Sequence, residues 1–194
     1  MTRNRILKAA AQIFSEKGYH AASMQDIADA VHLRKPSLYY HVASKQEILL
    51  ALLDEALDLL IQQISEIGRR HLSPEAKLRL AIQTYIETIM ARKDLSAVLL
   101  LEHRSLDLQQ KAEHVLKRDE FENLWKLMIA EGIRTGDFIC KDVSIAAKAI
   151  LGMMNWSITW YRKGGSLSPR ALASQYADLI LAGLIPRDGK NSDG

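Results

Sequence analysis

"ILKAAAQIFSEKGYHAASMQDIADAVHLRKPSLYYHVASKQEIL", residues 6–49, decides how the rest of the chain is read. Apolar residues recur through it at helical spacing. Ile6, Ala10, Ile13 and Phe14 share one face of a first helix, expected from about Arg3 to Lys17 and stopped by Gly18. Met24, Ile27, Ala28 and Val31 make the stripe of a second helix. Ser23 introduces it with Asp26 three positions on, the spacing of a capping box. A short third helix is expected over about Lys35 to His41, with Pro36 in its first turn, where the missing amide hydrogen has no partner to lose. Only a few residues around His32 and Leu33 join the second helix to the third. So short a link favours two steeply crossing helices, a helix-turn-helix, with the first packed behind as support.

The third helix is rich in hydrogen-bonding side chains. Leu38 would face inward, with Val42 and Tyr39 beside it, leaving Arg34, Lys35, Ser37, Tyr40 and His41 outward. Seven helical residues at ~1.5 Å each span about 10 Å, enough to lie across a DNA major groove and touch a few base pairs. The same geometry occurs in ordinary helical cores, however, where tyrosines pack and an Arg-Lys pair is simply solvated. Spacing and charge therefore leave both a nucleic-acid surface and plain packing open.

Beyond residue 47 the helical period continues, and no stretch alternates for long enough to make a strand. Ser44 with Glu47 repeats the capping-box spacing and opens a long fourth helix. Its inward residues are Ile48, Leu49, Leu52, Leu53, Ala56, Leu60 and Ile64, and it ends near Gly68. Ser73-Pro74 starts a fifth, to about Arg92. Further helices are expected at Leu95 to Arg104, Leu108 to Arg134, Val143 to Tyr161 and Pro169 to Leu184. The fold class is thus all-α with about nine helices. It divides into a helix-turn-helix domain, residues 1–47, a larger helical domain, residues 48–186, and a flexible tail, residues 187–194.

Composition narrows the function classes. The 194 residues carry 26 basic and 23 acidic side chains, a formal +3 that is too small to announce a nucleic-acid partner by itself. The distribution says more: residues 1–47 hold seven basic and four acidic side chains, and the remainder is balanced. The single cysteine, Cys140, cannot form an internal disulfide and has no second thiol for a metal cage. The longest apolar stretch, Ile48 to Ile61, is interrupted by Asp54, Glu55 and Asp58, so no membrane span is expected and a cytoplasmic protein is inferred. Glu102-His103-Arg104 and Glu113-His114 invite an acid-base or metal reading, yet neighbours on a helix point about 100° apart and do not converge on one ion. No phosphate-cradling glycine loop and no nucleophile elbow is present. Neither an enzyme nor a cofactor or metal site is expected.

Residues 6–49 resemble, almost without a gap, the N-terminal domain of the TetR/AcrR family of transcriptional regulators. The likeness rests on Phe14-x-x-x-Gly18-Tyr19, on Ser23 ahead of Asp26-Ile27-Ala28, on Leu38-Tyr39-x-His41 and on Ser44-Lys45. Two positions depart from the pattern: His32 stands where glycine is frequent, and Val42 where phenylalanine is common. The resemblance implies that Ser23 and Lys45 bind backbone phosphates. It also implies that Arg34, Lys35, Ser37, Tyr39, Tyr40 and His41 face double-stranded DNA, with Pro36 allowing close approach. Lysine and helix N-termini suit phosphate, and arginine suits guanine edges. One copy of so short a helix reads too few bases, so a homodimer on a palindromic operator is expected.

The C-terminal body carries no comparable signature. Its last two helices occupy the positions that in this family form a four-helix bundle across the dimer axis. Their stripes (Ile145, Ala149, Leu151, Gly152, Ile158; Leu172, Tyr176, Leu179, Ile180) suit an interface or a monomer core equally. "GMMNWSITWYRKGGSLSP", residues 152–169, is similar to the matching segment of family members that respond to acyl-CoA thioesters. That likeness implies an effector pocket with Met153, Trp156 and Trp160 along an acyl chain and Arg162 or Lys163 at its mouth, Arg104 being a further candidate. Simple packing of the two tryptophans is the competing reading. A regulator answering to another hydrophobic ligand, of the drug-efflux type, and a helical adaptor without DNA binding are the alternatives in function.

Overall fold

The computed structural model describes residues 2–186. The tail expected over 187–194 lies outside the described residues. Among those described there are nine α-helices and no strand. They are α1 (Thr2–Lys17), α2 (Met24–Ala30), α3 (Lys35–Tyr39), α4 (Lys45–Gly68), α5 (Pro74–Ala91), α6 (Lys93–Ala97), α7 (Leu108–Thr135), α8 (Val143–Trp160) and α9 (Pro169–Leu184). No helix among the described residues is long and apolar enough to cross a membrane.

The chain packs as two units, which it passes between within α4, α5 and α7. Among the described residues, one unit is 2–62 with Thr88–Phe121; the other is Gln63–Glu87 with 122–186. In the first, the apolar stripes meet as their spacing requires: Ile6, Ala10 and Phe14 of α1, Ile27 and Ala28 of α2, Leu38 of α3, and Ile48, Leu49 and Leu53 of α4 are buried. Gly18 closes α1 at φ 79, in the left-handed region, while its N–H donates to the Phe14 carbonyl at 3.0 Å. His32 takes the left-handed turn after α2 at φ 58, and the following Leu33 N–H reaches back to the Ala28 carbonyl at 2.9 Å. A histidine at this position thus does what the more frequent glycine does, at some steric cost.

Two elements differ from the sequence expectation. The third helix has five residues instead of seven, ending at Tyr39, because Tyr40 and His41 close a turn in which His41 N–H donates to the Leu38 carbonyl at 2.9 Å. The helix expected over Leu95 to Arg104 is instead broken into α6, a π-helical turn (Val98–Glu102) and a 3-10 turn (His103–Ser105). Apolar period alone does not distinguish an α-turn from the wider π-turn, whose extra residue shifts every following side chain.

In the second unit Tyr85 and Trp125, both almost fully buried, meet edge to face with ring centroids 6.0 Å apart. The Tyr85 hydroxyl donates to Asn155 Oδ1 at 2.5 Å, and burial raises its pKa far above the usual phenol range. Gly132 allows the Phe138 ring to lie against α7, since a Cβ there would fall 2.1 Å from the ring. Lys77, buried on α5, donates to both oxygens of Glu131 at 2.8 and 2.7 Å.

Candidate nucleic-acid interface

The local chemistry of residues 17–47 places each polar side chain. Ser23 caps α2: its hydroxyl accepts from Asp26 N–H at 3.1 Å, and the Asp26 carboxylate accepts from Ser23 N–H at 2.8 Å. Lys17 closes the arrangement with an ion pair to Asp26 at 2.8 Å. The Lys17 contact, followed by those from Ser23, holds the Asp26 carboxyl well below the usual carboxylate range.

α3 divides as its sequence predicts at Leu38, which is fully buried, and at Val42 just beyond, also buried. Arg34, Lys35, Pro36, Ser37, Tyr40 and His41 are all exposed, Tyr40 at 92%. Tyr39, expected partly inward, is 45% exposed and joins the outer face, because the residue next to Leu38 on a helix points about 100° away from it. Two bases, two phenols, a serine hydroxyl and an imidazole therefore share one solvent-facing surface, an unusual density of donors and acceptors for a surface with no partner.

Lys45 occupies the first position of α4. Its ammonium donates to the carbonyls of Tyr19 at 2.9 Å and Ala22 at 2.7 Å and lies 4.4 Å from the centroid of the Tyr19 ring. Two of its three protons are thus spent on the α1–α2 loop. Nearby, Ser44 Oγ accepts from Glu47 N–H at 3.0 Å, while the Glu47 carboxylate takes the Ala43 N–H and the Arg3 guanidinium, the latter at 3.1 Å. These contacts, the Ala43 one first, lower the Glu47 pKa.

The 3-10 turn at His103–Ser105 also reaches this region. Gln46 Nε2 donates to the Ser105 carbonyl at 2.8 Å, and the Ser105 hydroxyl and His20 Nε2 are hydrogen-bonded at 3.2 Å. His103 stacks on His114 with centroids 6.2 Å apart. His114 is 2% exposed with neither ring nitrogen bonded to another described residue, and burial, helped by the Arg118 charge, pushes its pKa down to about 4. None of these links was legible in the sequence. Gln46 and Ser105 lie 59 residues apart, and no local pattern marks such a pair.

The residues expected to hold an effector are distributed rather than gathered. Met153 lines a cavity of about 180 Å³ between α8 and α9, with Ile150 and Ile180. Trp156 and Trp160 stand on the outer side of α8, 67% and 44% exposed, and Arg162 is exposed just beyond its end. Arg104 belongs to the other unit and is exposed in the 3-10 turn. Of the α8 and α9 stripes, Ile158, Leu172 and Ile180 are buried, whereas Ile145, Ala149, Gly152 and Leu179 face outward. No group of three or more metal-ligating side chains exists among the described residues.

Comparison with known proteins agrees with this geometry. Residues 6–52 match the model of bacterial regulatory proteins of the tetR family, and residues 71–184 match that of the tetracyclin repressor-like C-terminal domain. The chain is 31% identical over 184 residues to the HTH-type transcriptional repressor KstR2 of Rhodococcus jostii, covering 94% of this chain and 90% of that one. The TetR family transcriptional regulator PfmR of Thermus thermophilus superposes with a TM-score of 0.86 at 34% identity, covering 92% of this chain and 98% of that one. The structure of AibR in complex with isovaleryl coenzyme A and operator DNA superposes with a TM-score of 0.83 at 25% identity, covering 96% and 99%.

Proposed function

Because this chain belongs to the TetR family of DNA-binding transcriptional regulators, which are not enzymes, we propose that it is a cytoplasmic homodimeric repressor released from a palindromic operator by an acyl-CoA thioester. The observation that carries DNA contact is the outer face of α3, where Arg34, Lys35, Ser37, Tyr39, Tyr40 and His41 are all exposed while Leu38 anchors the helix. Pro36 lets the backbone approach, and the remaining proton of Lys45 meets a phosphate, as does the Ser23 hydroxyl once it turns its proton from the Asp26 carboxylate, which it holds at 2.6 Å. In this reading residues 1–47 bind the operator and residues 48–186 sense ligand and dimerise.

Dimerisation is supported by the outward apolar face of α8 and α9. Ile145, Ala149, Gly152 and Trp156 follow at 4-3-4 spacing on one side of α8, and Leu179 is 63% exposed on α9. Small residues at its middle let a second helix approach closely.

The thioester assignment draws on the likeness to AibR and on the α8 end. Exposed Trp160 offers its ring to a nucleotide that stays partly in solvent, and Arg162 would meet its phosphates. Met153 and its cavity are the apolar end. Ligand then favours the state whose two α3 helices no longer match successive grooves. Mobility-shift titration on the protein's own upstream DNA tests the reading. Release by CoA thioesters but not by the parent acids supports it; release only by an unrelated hydrophobic drug overturns it.

A further inference from the structure

We propose that a cavity between α1, the first half of α4 and the α5–α6 turn is a second small-molecule site, which takes an organic anion with an apolar body. The cavity encloses about 660 Å³, within the ~300–1,000 Å³ common for small-molecule sites. It lies wholly within the first unit, apart from the α8 region assigned to the thioester.

Its chemistry is two-sided. Buried Ala11, Leu52 and Leu95 give it an apolar floor, one side chain from each of α1, α4 and α6. The rim is charged. Arg92 is paired with Glu55 at 3.2 Å and so adds little net field. Lys8 and Lys93, by contrast, have no ion pair or hydrogen bond among the described residues, and only Asp94 opposes them on the rim. Two unpaired ammonium groups over an apolar floor are complementary to a carboxylate or phosphate on a hydrocarbon body; a cation of the same shape would meet repulsion from both.

The position also matters. α1 packs against α2 on one side and α6 on another. A ligand seated on Ala11 and Leu95 braces α1, the helix that supports the DNA-reading pair.

Calorimetry and thermal melting of the full-length protein with decanoate and with decylammonium, two probes of equal chain length and opposite charge, test the site. Decanoate is expected to bind and raise Tm, with decylammonium at least ~10-fold weaker. The exposed double variant Lys8→Gln/Lys93→Gln should keep its melting temperature and lose at least ~10-fold in decanoate affinity, whereas Arg162→Gln should not. Equal binding of the two probes, undiminished binding in the double variant, no binding of decanoate, or its loss in Arg162→Gln would each overturn the proposal. The last result would place the anion at the thioester site instead; failure of the thioester reading, seen in mobility shifts, leaves this one standing.

Discussion

The Lys45 ammonium donates to the Tyr19 carbonyl at 2.9 Å while lying over the same residue's ring, so one side chain at the start of α4 holds the loop that precedes α2. A cation expected at the DNA backbone is therefore also a structural tie. Lys45→Met should lower operator affinity, and the slope of log affinity against log salt should fall by about 0.9, the share of one phosphate contact. Lost affinity at unchanged slope would mean that Lys45 acts through the loop alone.

Ser23 has a double duty of the same kind. Ser23→Ala removes the α2 cap and should cost about 1 kcal/mol in chemical denaturation, in addition to weakening operator binding. Ser23→Asp sets a second carboxylate against Asp26, whose oxygen takes the Ser23 hydroxyl proton at 2.6 Å, and also repels phosphate, so it should regain no stability and bind DNA worse than Ser23→Ala. Equal DNA affinity in the two variants would remove Ser23 from the interface.

Tyr40, at 92% exposure, contributes nothing to the core. Tyr40→Ala should leave the melting temperature unchanged and weaken operator binding by about 1–3 kcal/mol. Operator titrations at fixed salt decide it.

His114 predicts a pH dependence of stability. Its pKa in the folded protein is pushed down to about 4 from an ordinary value of 6.5, so between those values the unfolded chain binds the extra proton. Stability should be full above pH 6.5 and be lost progressively as the pH falls towards 4, by up to ~3 kcal/mol. His114→Leu should flatten that part of the profile; an unchanged profile would rule out His114 as its source.

Ile145 and Leu179 are each 63% exposed on the face assigned to the dimer. Ile145→Glu/Leu179→Glu should sediment as a monomer with unchanged helix content and bind operator weakly, since a single α3 reads too few bases. A dimer in that variant would move the interface elsewhere.

Much of this protein was determined by local rules. The stripes of α1, α2 and α4, the capping box at Ser23, the Ser44 cap, whose Glu47 returns to the Ala43 N–H instead of the Ser44 N–H, the turn at His32 and the outward side of α3 all depend on residues within four or so positions of one another, where period and turn chemistry act directly. Tertiary structure decided what depends on distant partners: the π-turn at Val98–Glu102, the hold of Lys45 on Tyr19, the bond from Gln46 to Ser105, and the outward turn of Ile145 and Leu179 while Ile158 and Ile180 went inside. An apolar stripe states that a face must be covered. Only packing selects which neighbour covers it, because burial is non-directional and rewards any apolar surface that arrives.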